Sequence, residues 1–373
     1  MKTPPDSAFV SRRRFLGNLS VAAGALALAP RSLLAHSAGG KKLGVALVGL
    51  GGYSRGQLGP ALKLTHHCQL AGVVTGSAEK GRKWAQDYGF PESSVYDYAS
   101  MDRLADNPAI DIVYVVTPNS LHAEHAIAAA RAGKHVICEK PMATSVADCD
   151  AIIAACQKAG VRLGMGYRLH YDPFHEELRR LARTKEFGPF MKMDGGFAFT
   201  MDRPQWRAEK KLAGGGPLMD LGVYVLQESL MAAGEVLPVA LTAREQPKQR
   251  PEFFKDVEET IEWTMEFPNG ATAQGYTSYN SNRNNFRAEA KDGWFETGPA
   301  YSYRGLKAAT SRGPVTPTPP ASQQALQMDA FARHVASGEP NLVPGEMGRR
   351  DMVMVEAIYA SAAAGGKRQV LKF

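Results

Sequence analysis

An apolar run, Leu43-Gly44-Val45-Ala46-Leu47-Val48, empties straight into Gly49-Leu50-Gly51-Gly52-Tyr53-Ser54. A strand that ends in Gly-x-Gly-x-x-small before a helix has few folds open to it. The first glycine allows a tight turn, and the second lets backbone approach a pyrophosphate. The small sixth residue lets helix and sheet pack closely. The N-terminus of the following helix then attracts the negative charge. Gly49, Gly51, Gly52, Tyr53 and Ser54 are therefore expected to cradle a dinucleotide. Without this strand–turn–helix setting, the same glycines would make only an ordinary turn.

The rest of the chain divides in two. Apolar strands at 43–48, 69–75, 111–117, 134–138 and 161–165 alternate with helical patterns such as 120–132 and 145–159. That alternation implies a parallel sheet with right-handed crossovers, a Rossmann-type domain over residues 41–166. From residue 167 to 373 the pattern becomes longer alternating strands, at 188–201, 239–246, 257–267 and 271–280. These imply an α+β domain with a large open, mainly antiparallel sheet. Pro268-Asn269-Gly270 reads as a hairpin turn, with Asn-Gly supplying positive φ at both central positions. Lys291-Asp292-Gly293 reads as another, and the Pro/Thr-rich stretch 313–320 as a surface loop. Two closing helices, near 322–337 and 345–364, are free to pack back on the first domain.

Charge and cysteine narrow the function. The formal net charge is +7, but residues 1–35 carry Lys2, Arg12, Arg13, Arg14 and Arg31 against Asp6. The remainder has 39 basic and 36 acidic residues and no basic block with interleaved aromatics, which sets nucleic acid aside. Ser11-Arg12-Arg13-Arg14-Phe15-Leu16-Gly17 fits a twin-arginine export signal, followed by an Ala/Gly-rich stretch and a cleavage site after Ala35. The stretch falls short of the roughly 20 apolar residues of a membrane span; the alternative is an uncleaved anchor. Residues 1–35 are thus expected to address the folded chain to the periplasm through the twin-arginine machinery. Cys68, Cys138, Cys149 and Cys156 show neither Cys-x-x-Cys nor metal-ligand spacing and read as core residues.

The chemistry is expected at the carboxyl ends of the parallel strands. The second strand ends Val74-Thr75-Gly76-Ser77-Ala78-Glu79-Lys80, with no acid at its tip to hold a ribose 2′-hydroxyl. Thr75 and Lys80 suit a 2′-phosphate and so NADP(H); the alternative is a solvated Lys80 and either cofactor, with Glu79 in its favour. The next strands run into Thr117-Pro118-Asn119-Ser120-Leu121-His122 and Cys138-Glu139-Lys140-Pro141, which brings an ammonium beside the nicotinamide. Further on, Gly214-Gly215-Gly216 forms a flexible lead into Pro217-Leu218-Met219-Asp220-Leu221-Gly222-Val223-Tyr224. Asp220 and Tyr224, four apart, share a helix face. A phenol, with an ordinary pKa of about 10, serves as a base beside a cation. The alternative is a Tyr that packs and an Asp that caps.

Taken in order, the glycine turn, Thr-Pro-Asn-Ser-Leu-His, Cys-Glu-Lys-Pro-Met-Ala, Gly166-Tyr167-Arg168 and Gly-Gly-Gly-x-Leu-Met-Asp-x-Gly-x-Tyr resemble a known family. It is the glucose–fructose oxidoreductase, inositol dehydrogenase and rhizopine-catabolism family (Gfo/Idh/MocA), and the likeness spans nearly all the chain after residue 35. It leans toward the exported, NADP-using branch, which has Tyr where many members have His. The resemblance implies an NADP-dependent sugar oxidoreductase, oxidising an aldose at C1 to the lactone and reducing a second sugar; the alternatives are a dissociable NADP-dependent aldose dehydrogenase or sugar-ketone reductase, and a sugar- or nucleotide-binding module without turnover. Lys140 would orient the sugar, Tyr224 would be the acid–base group and Asp220 would hold the sugar. Gly49, Gly51, Gly52, Tyr53, Ser54, Thr75, Lys80, Tyr98, Pro118, Asn119, His122, Glu139, Lys140, Arg168, Trp206 and Arg207 would line the cofactor. The open sheet would join subunits into a homodimer or homotetramer. The related exported enzymes carry a long proline-rich arm before the first strand; here about seven residues, 36–42, take its place.

Overall fold

The computed structural model describes residues 41–373. The export segment expected at residues 1–35 lies outside the described residues. Six strands form the first sheet: β1 (Leu43–Val48), β2 (Cys68–Val74), β3 (Val95–Tyr96), β4 (Ile112–Val115), β5 (His135–Cys138) and β6 (Leu163–Met165). Their order is β3-β2-β1-β4-β5-β6, and every pair is parallel. All residues of β1 and β4 are buried, because helices cover both faces, so these strands read as continuous apolar runs rather than alternating ones. The crossovers are α1 (Gly59–Leu62), α2 (Ala78–Tyr88), α3 (His122–Arg131) and α4 (Val146–Ala159). Ser77 and Ser145 cap α2 and α4 at their N-termini, and Gly89 and Gly160 end them with positive φ. All four cysteines are buried and free.

The second half contributes α5 (Pro173–Thr184), β7 (Lys192–Ala198), α6 (Lys210–Ala213), α7 (Val223–Ala232), β8 (Ala240–Glu245), β9 (Thr260–Glu266) and β10 (Thr272–Ser278). It continues with β11 (Arg283–Ala290), β12 (Gly293–Thr297), β13 (Ala308–Thr310), β14 (Gly313–Val315), α8 (Gln323–Ser337), α9 (Gly345–Ala363) and β15 (Gln369–Val370). Nine strands make one sheet in the order β14-β13-β12-β11-β7-β10-β9-β8-β15, antiparallel except where β10 meets β7. One face is covered: Ile261, Trp263 and Met265 of β9 are buried, while Glu262 between them is exposed. Helix α9 lies on this face, where Ser361 Oγ accepts the Ala243 N–H at 2.8 Å. Helix α8 instead packs against the parallel sheet, and Asp329 receives the backbone N–H groups of His66 and His67.

Two local expectations change. The 268–270 hairpin forms, pairing β9 with β10, but only Gly270 has positive φ, at 82°. Pro268 locks its own φ negative, so the chain makes a type I turn with Asn269 in its right-handed position and Gly270 in the left-handed one. Residues 313–315 are not loop: they form edge strand β14 against β13. Proline is tolerated there because an edge strand has one side without a ladder partner.

Candidate active site

The glycine turn is built for close approach. Gly49 has φ of 99° and donates its N–H to Val74 O at 2.9 Å. The buried Ser54 hydroxyl donates back to Gly49 O at 2.6 Å, which closes the turn. A Cβ on Gly51 or Gly52 would meet nothing within 4 Å, so the turn faces open space that a diphosphate can fill. Next along the strand ends, buried Thr75 accepts the Ser77 N–H at 3.3 Å, and Ser77 accepts that of Lys80 at 3.3 Å. Lys80 and Glu79 are both exposed in the first turn of α2. Tyr98, 40% exposed, stacks on His125 with centroids 5.0 Å apart and lies over Gly76. These residues fit the adenosine end of a dinucleotide: a cradle, hydroxyl donors, a cation and an aromatic face.

The loops after β4 and β5 do more than line a crevice. Pro118 leads into a short 3-10 turn, and buried Asn119 donates its Nδ2 to Ala213 O at 2.9 Å, tying the first domain to α6. His122 is 1% exposed, with Nδ1 at 2.8 Å from Pro141 O and Nε2 at 2.9 Å from Thr117 O. Burial lowers it to about 4. Neutral, the imidazole has one N–H and donates to one of these two carbonyls at a time. Glu139 is buried too, accepting the Tyr114 hydroxyl at 2.7 Å and the Lys140 N–H at 3.1 Å. A Cβ on Gly166 would come within 2.6 Å of the Glu139 carboxyl, which explains that glycine.

The reacting groups converge from both domains. Lys140 Nζ donates to Asp220 O at 2.6 Å and Oδ1 at 3.3 Å, and sits 4.6 Å from the centre of the Tyr224 ring. Asp220 Oδ2 forms an ion pair with Arg207, 3.0 Å from its Nε, and accepts the Tyr279 hydroxyl at 3.0 Å. Arg207 stacks on Trp206 at 4.5 Å, which brings both residues beside the Lys140–Asp220–Tyr224 cluster. Arg168, expected to line the cofactor, is 1% exposed and lies beneath the rings of Tyr224 and Tyr303, at 5.0 and 4.5 Å. The helix that carries Asp220 opens with a π turn, Leu218–Gly222, before α7. Asp220 and Tyr224 are therefore not set by a plain four-residue helix spacing.

The triple glycine is not flexible. A Cβ on Gly214 would sit 2.6 Å from Thr144, one on Gly215 2.0 Å from the Tyr359 hydroxyl, and one on Gly216 2.2 Å from Glu258 O. Close packing, not mobility, demands these residues. Glu258, Tyr279 and Tyr303 escaped sequence reasoning because nothing beside them in the chain marks them.

Asp220 offers a stability test. Burial alone would raise its carboxyl, but Arg207, then Lys140 and the Tyr279 hydroxyl, outweigh it and hold it at about 2. An unfolded aspartate titrates near ~3.9, so ionised Asp220 contributes stability above that pH and loses it as pH falls through the folded value. The difference corresponds to about 2–3 kcal/mol. Asp220→Asn is expected to lose roughly 2–3 kcal/mol in urea unfolding near pH ~7, with the gap from wild type closing progressively as pH falls from ~4 through ~2. A gap that persists undiminished in acid would mean that the charge is not what counts.

The chain is similar to known proteins in sequence and fold. Residues 43–167 match the family model described as "Oxidoreductase family, NAD-binding Rossmann fold", and residues 175–296 match "GFO/IDH/MocA C-terminal domain". The crystal structure of aldose-aldose oxidoreductase from Caulobacter crescentus complexed with glycerol superposes with a TM-score of 0.86 at 41% identity, covering 89% of this chain and 100% of that one. D-xylose 1-dehydrogenase (NADP(+)) 2 of Haloferax volcanii is 29% identical over 317 residues, 82% of this chain and 93% of that protein. Levoglucosan dehydrogenase in complex with NADH and levoglucosan, at 21% identity and a TM-score of 0.76 over 89% of this chain and 100% of that one, shares the fold.

Proposed function

The chain belongs to the Gfo/Idh/MocA oxidoreductase family and is a sugar oxidoreductase; we propose that it oxidises an aldose at C1 to the lactone with NADP and then reduces a second sugar. The observation that carries this reading is the Lys140 ammonium placed against both Asp220 and the Tyr224 ring. When bound, the nicotinamide supplies the hydride acceptor. Tyr224 Oη takes the anomeric hydroxyl proton as the C1–H bond gives up its electron pair. Lys140 holds the sugar oxygen. Asp220, steadied by Arg207 and Tyr279, accepts a neighbouring sugar hydroxyl. In the second half, the same phenol returns its proton to the reduced sugar.

Thr75, Ser77 and Lys80, with no carboxylate at the end of β2, support NADP over NAD. The name of the aldose-aldose relative supports a cycle of two sugars. The xylose dehydrogenase relative supports a second reading, an aldose dehydrogenase whose NADP dissociates. Export by the twin-arginine route, followed by assembly through the open sheet, completes the proposal. A cofactor carried out of the cell must be reoxidised in place.

The test uses protein purified from cells, desalted and given no nicotinamide. Glucose is added, then fructose or a second aldose, while the near-ultraviolet band of reduced nicotinamide is followed. A stoichiometric rise that the second sugar reverses is expected. Turnover only after NADP is added would favour the dissociable dehydrogenase. No sugar-dependent change under either condition would defeat both readings.

A further inference from the structure

Helix α8 brings three glutamines to the back of the site. Gln323, Gln324 and Gln327 are 3%, 3% and 1% exposed. A buried amide costs free energy unless it is hydrogen-bonded, and each of these reaches a different wall of the crevice. Gln324 Nε2 donates to the hydroxyl of Tyr53 in the glycine turn at 3.3 Å. Gln327 Nε2 donates at 2.7 Å to the Tyr114 hydroxyl, which itself donates to Glu139. Gln323 does something the other two do not: its one amide touches a buried cation and a buried anion.

The cation is Arg168. Its guanidinium donates to Ser302 O at 3.3 Å, to Tyr301 O and to Gln323 Oε1, all uncharged oxygens, and its Nε has no partner among the described residues. The anion is Asp172, whose Oδ2 accepts Gln323 Nε2 at 2.8 Å. Asp172 Oδ1 is held in turn by the Phe174 N–H at 3.0 Å and by His175 Nδ1 at 3.1 Å. His175 Nε2 faces Glu228 Oε1 at 3.5 Å, and Thr297 donates to that same oxygen at 3.0 Å. Arg168 and Asp172 are 1% and 2% exposed, and the one amide that touches both ties the guanidinium to the Asp172–His175 pair.

We propose that Gln323 is a positioning residue for the sugar reaction: its amide bridges the buried Arg168–Asp172 pair and thereby fixes Arg168 across the ring of Tyr224. The proposal rests on the reading of Tyr224 as the acid–base group. An amide suits the place because its oxygen accepts from the guanidinium while its nitrogen donates to the carboxylate. A methionine fills the same length and does neither. A glutamate reproduces both bonds in its protonated form, its carbonyl accepting from Arg168 and its hydroxyl donating to Asp172, and the like charge of buried Asp172 favours that form.

The test compares Gln323→Met and Gln323→Glu with wild type, as full-length protein carrying its nicotinamide. For Gln323→Met, kcat per nicotinamide-binding site is expected to fall about tenfold or more, with the sugar KM changed less than about threefold, because a small misplacement weakens catalysis more than binding. Gln323→Glu is expected to recover most of that loss. A crystal structure of Gln323→Met should show the guanidinium moved off the Tyr224 ring. Unchanged kcat per site, equal losses in both variants, or Arg168 unmoved in the crystal would each overturn the proposal. Should Gln323→Met fail to fold, Gln323→Asn, which keeps the amide but retracts it, carries the same expectations. A wild-type protein that turns over no sugar defeats the functional reading instead, and the crystal structure still decides where Arg168 lies.

Discussion

Tyr224→Phe is expected to lower kcat by about 10²–10⁴-fold while nicotinamide affinity stays within about twofold of wild type. The substitution removes one oxygen and leaves the ring. That ring carries most of the local packing: it is 9% exposed, meets Phe197 edge-on at 5.7 Å and Tyr301 at 6.0 Å, and lies against Lys140 and Arg168. A phenylalanine keeps all of these contacts, so the fold and the glycine turn are untouched. What disappears is the group that carries the proton. The sugar KM should move little, because the lost interaction matters only when the hydroxyl proton is in flight. Steady-state rates with saturating sugar, and fluorescence titration with reduced nicotinamide, read the two effects separately. A rate within tenfold of wild type would move the acid–base role to another group, with Lys140 next in line. A protein that only binds sugar or nucleotide would be indifferent.

What could be read from the chain divides along a physical line. β1, β2, β4, β5 and β6 were legible because strands buried on both faces leave long apolar runs, and the glycine turn marks where the first one ends. β3, two residues long, leaves no period to detect. In the site, Lys140 and Tyr224 were legible from the rule that parallel sheets bind at strand carboxyl ends and from the order of the motifs. The direction a side chain takes was not. Asn119, His122 and Arg168 all border the crevice in sequence, yet each is spent on a protein carbonyl. Tyr279 reaches Asp220 from 59 residues away, and Gln323 reaches Arg168 from 155. Periodicity sees neighbours on one element, and these contacts join elements whose meeting depends on the whole fold. The triple glycine shows the same limit: with Thr144, Tyr359 and Glu258 out of sight, close packing reads as flexibility.

That packing makes Glu258 the residue outside the reacting groups whose loss should cost most. It is 4% exposed, and its carboxylate accepts the Gly216 N–H at 2.9 Å, the Leu218 N–H at 3.0 Å and the Tyr359 hydroxyl at 2.9 Å. The two N–H groups belong to the turn that starts the Asp220–Tyr224 helix, where no intrahelical carbonyl can reach them. An anion there is also favoured by the helix dipole. Glu258→Ala leaves both donors buried without a partner and opens a void beside Gly216, into which water can enter only by crossing the packed glycines. Stranding two buried donors predicts a loss of about 3–5 kcal/mol. Glu258→Gln should recover only part of it, since its NH₂ would face a donor wherever the carboxylate used its second oxygen. Urea unfolding measures the loss. Activity below the midpoint should fall as well, because the π turn holds Asp220 against Lys140 and Arg207. If Glu258→Ala unfolds within about 1 kcal/mol of wild type, water has reached the two N–H groups, and the turn is held by the glycines' packing alone.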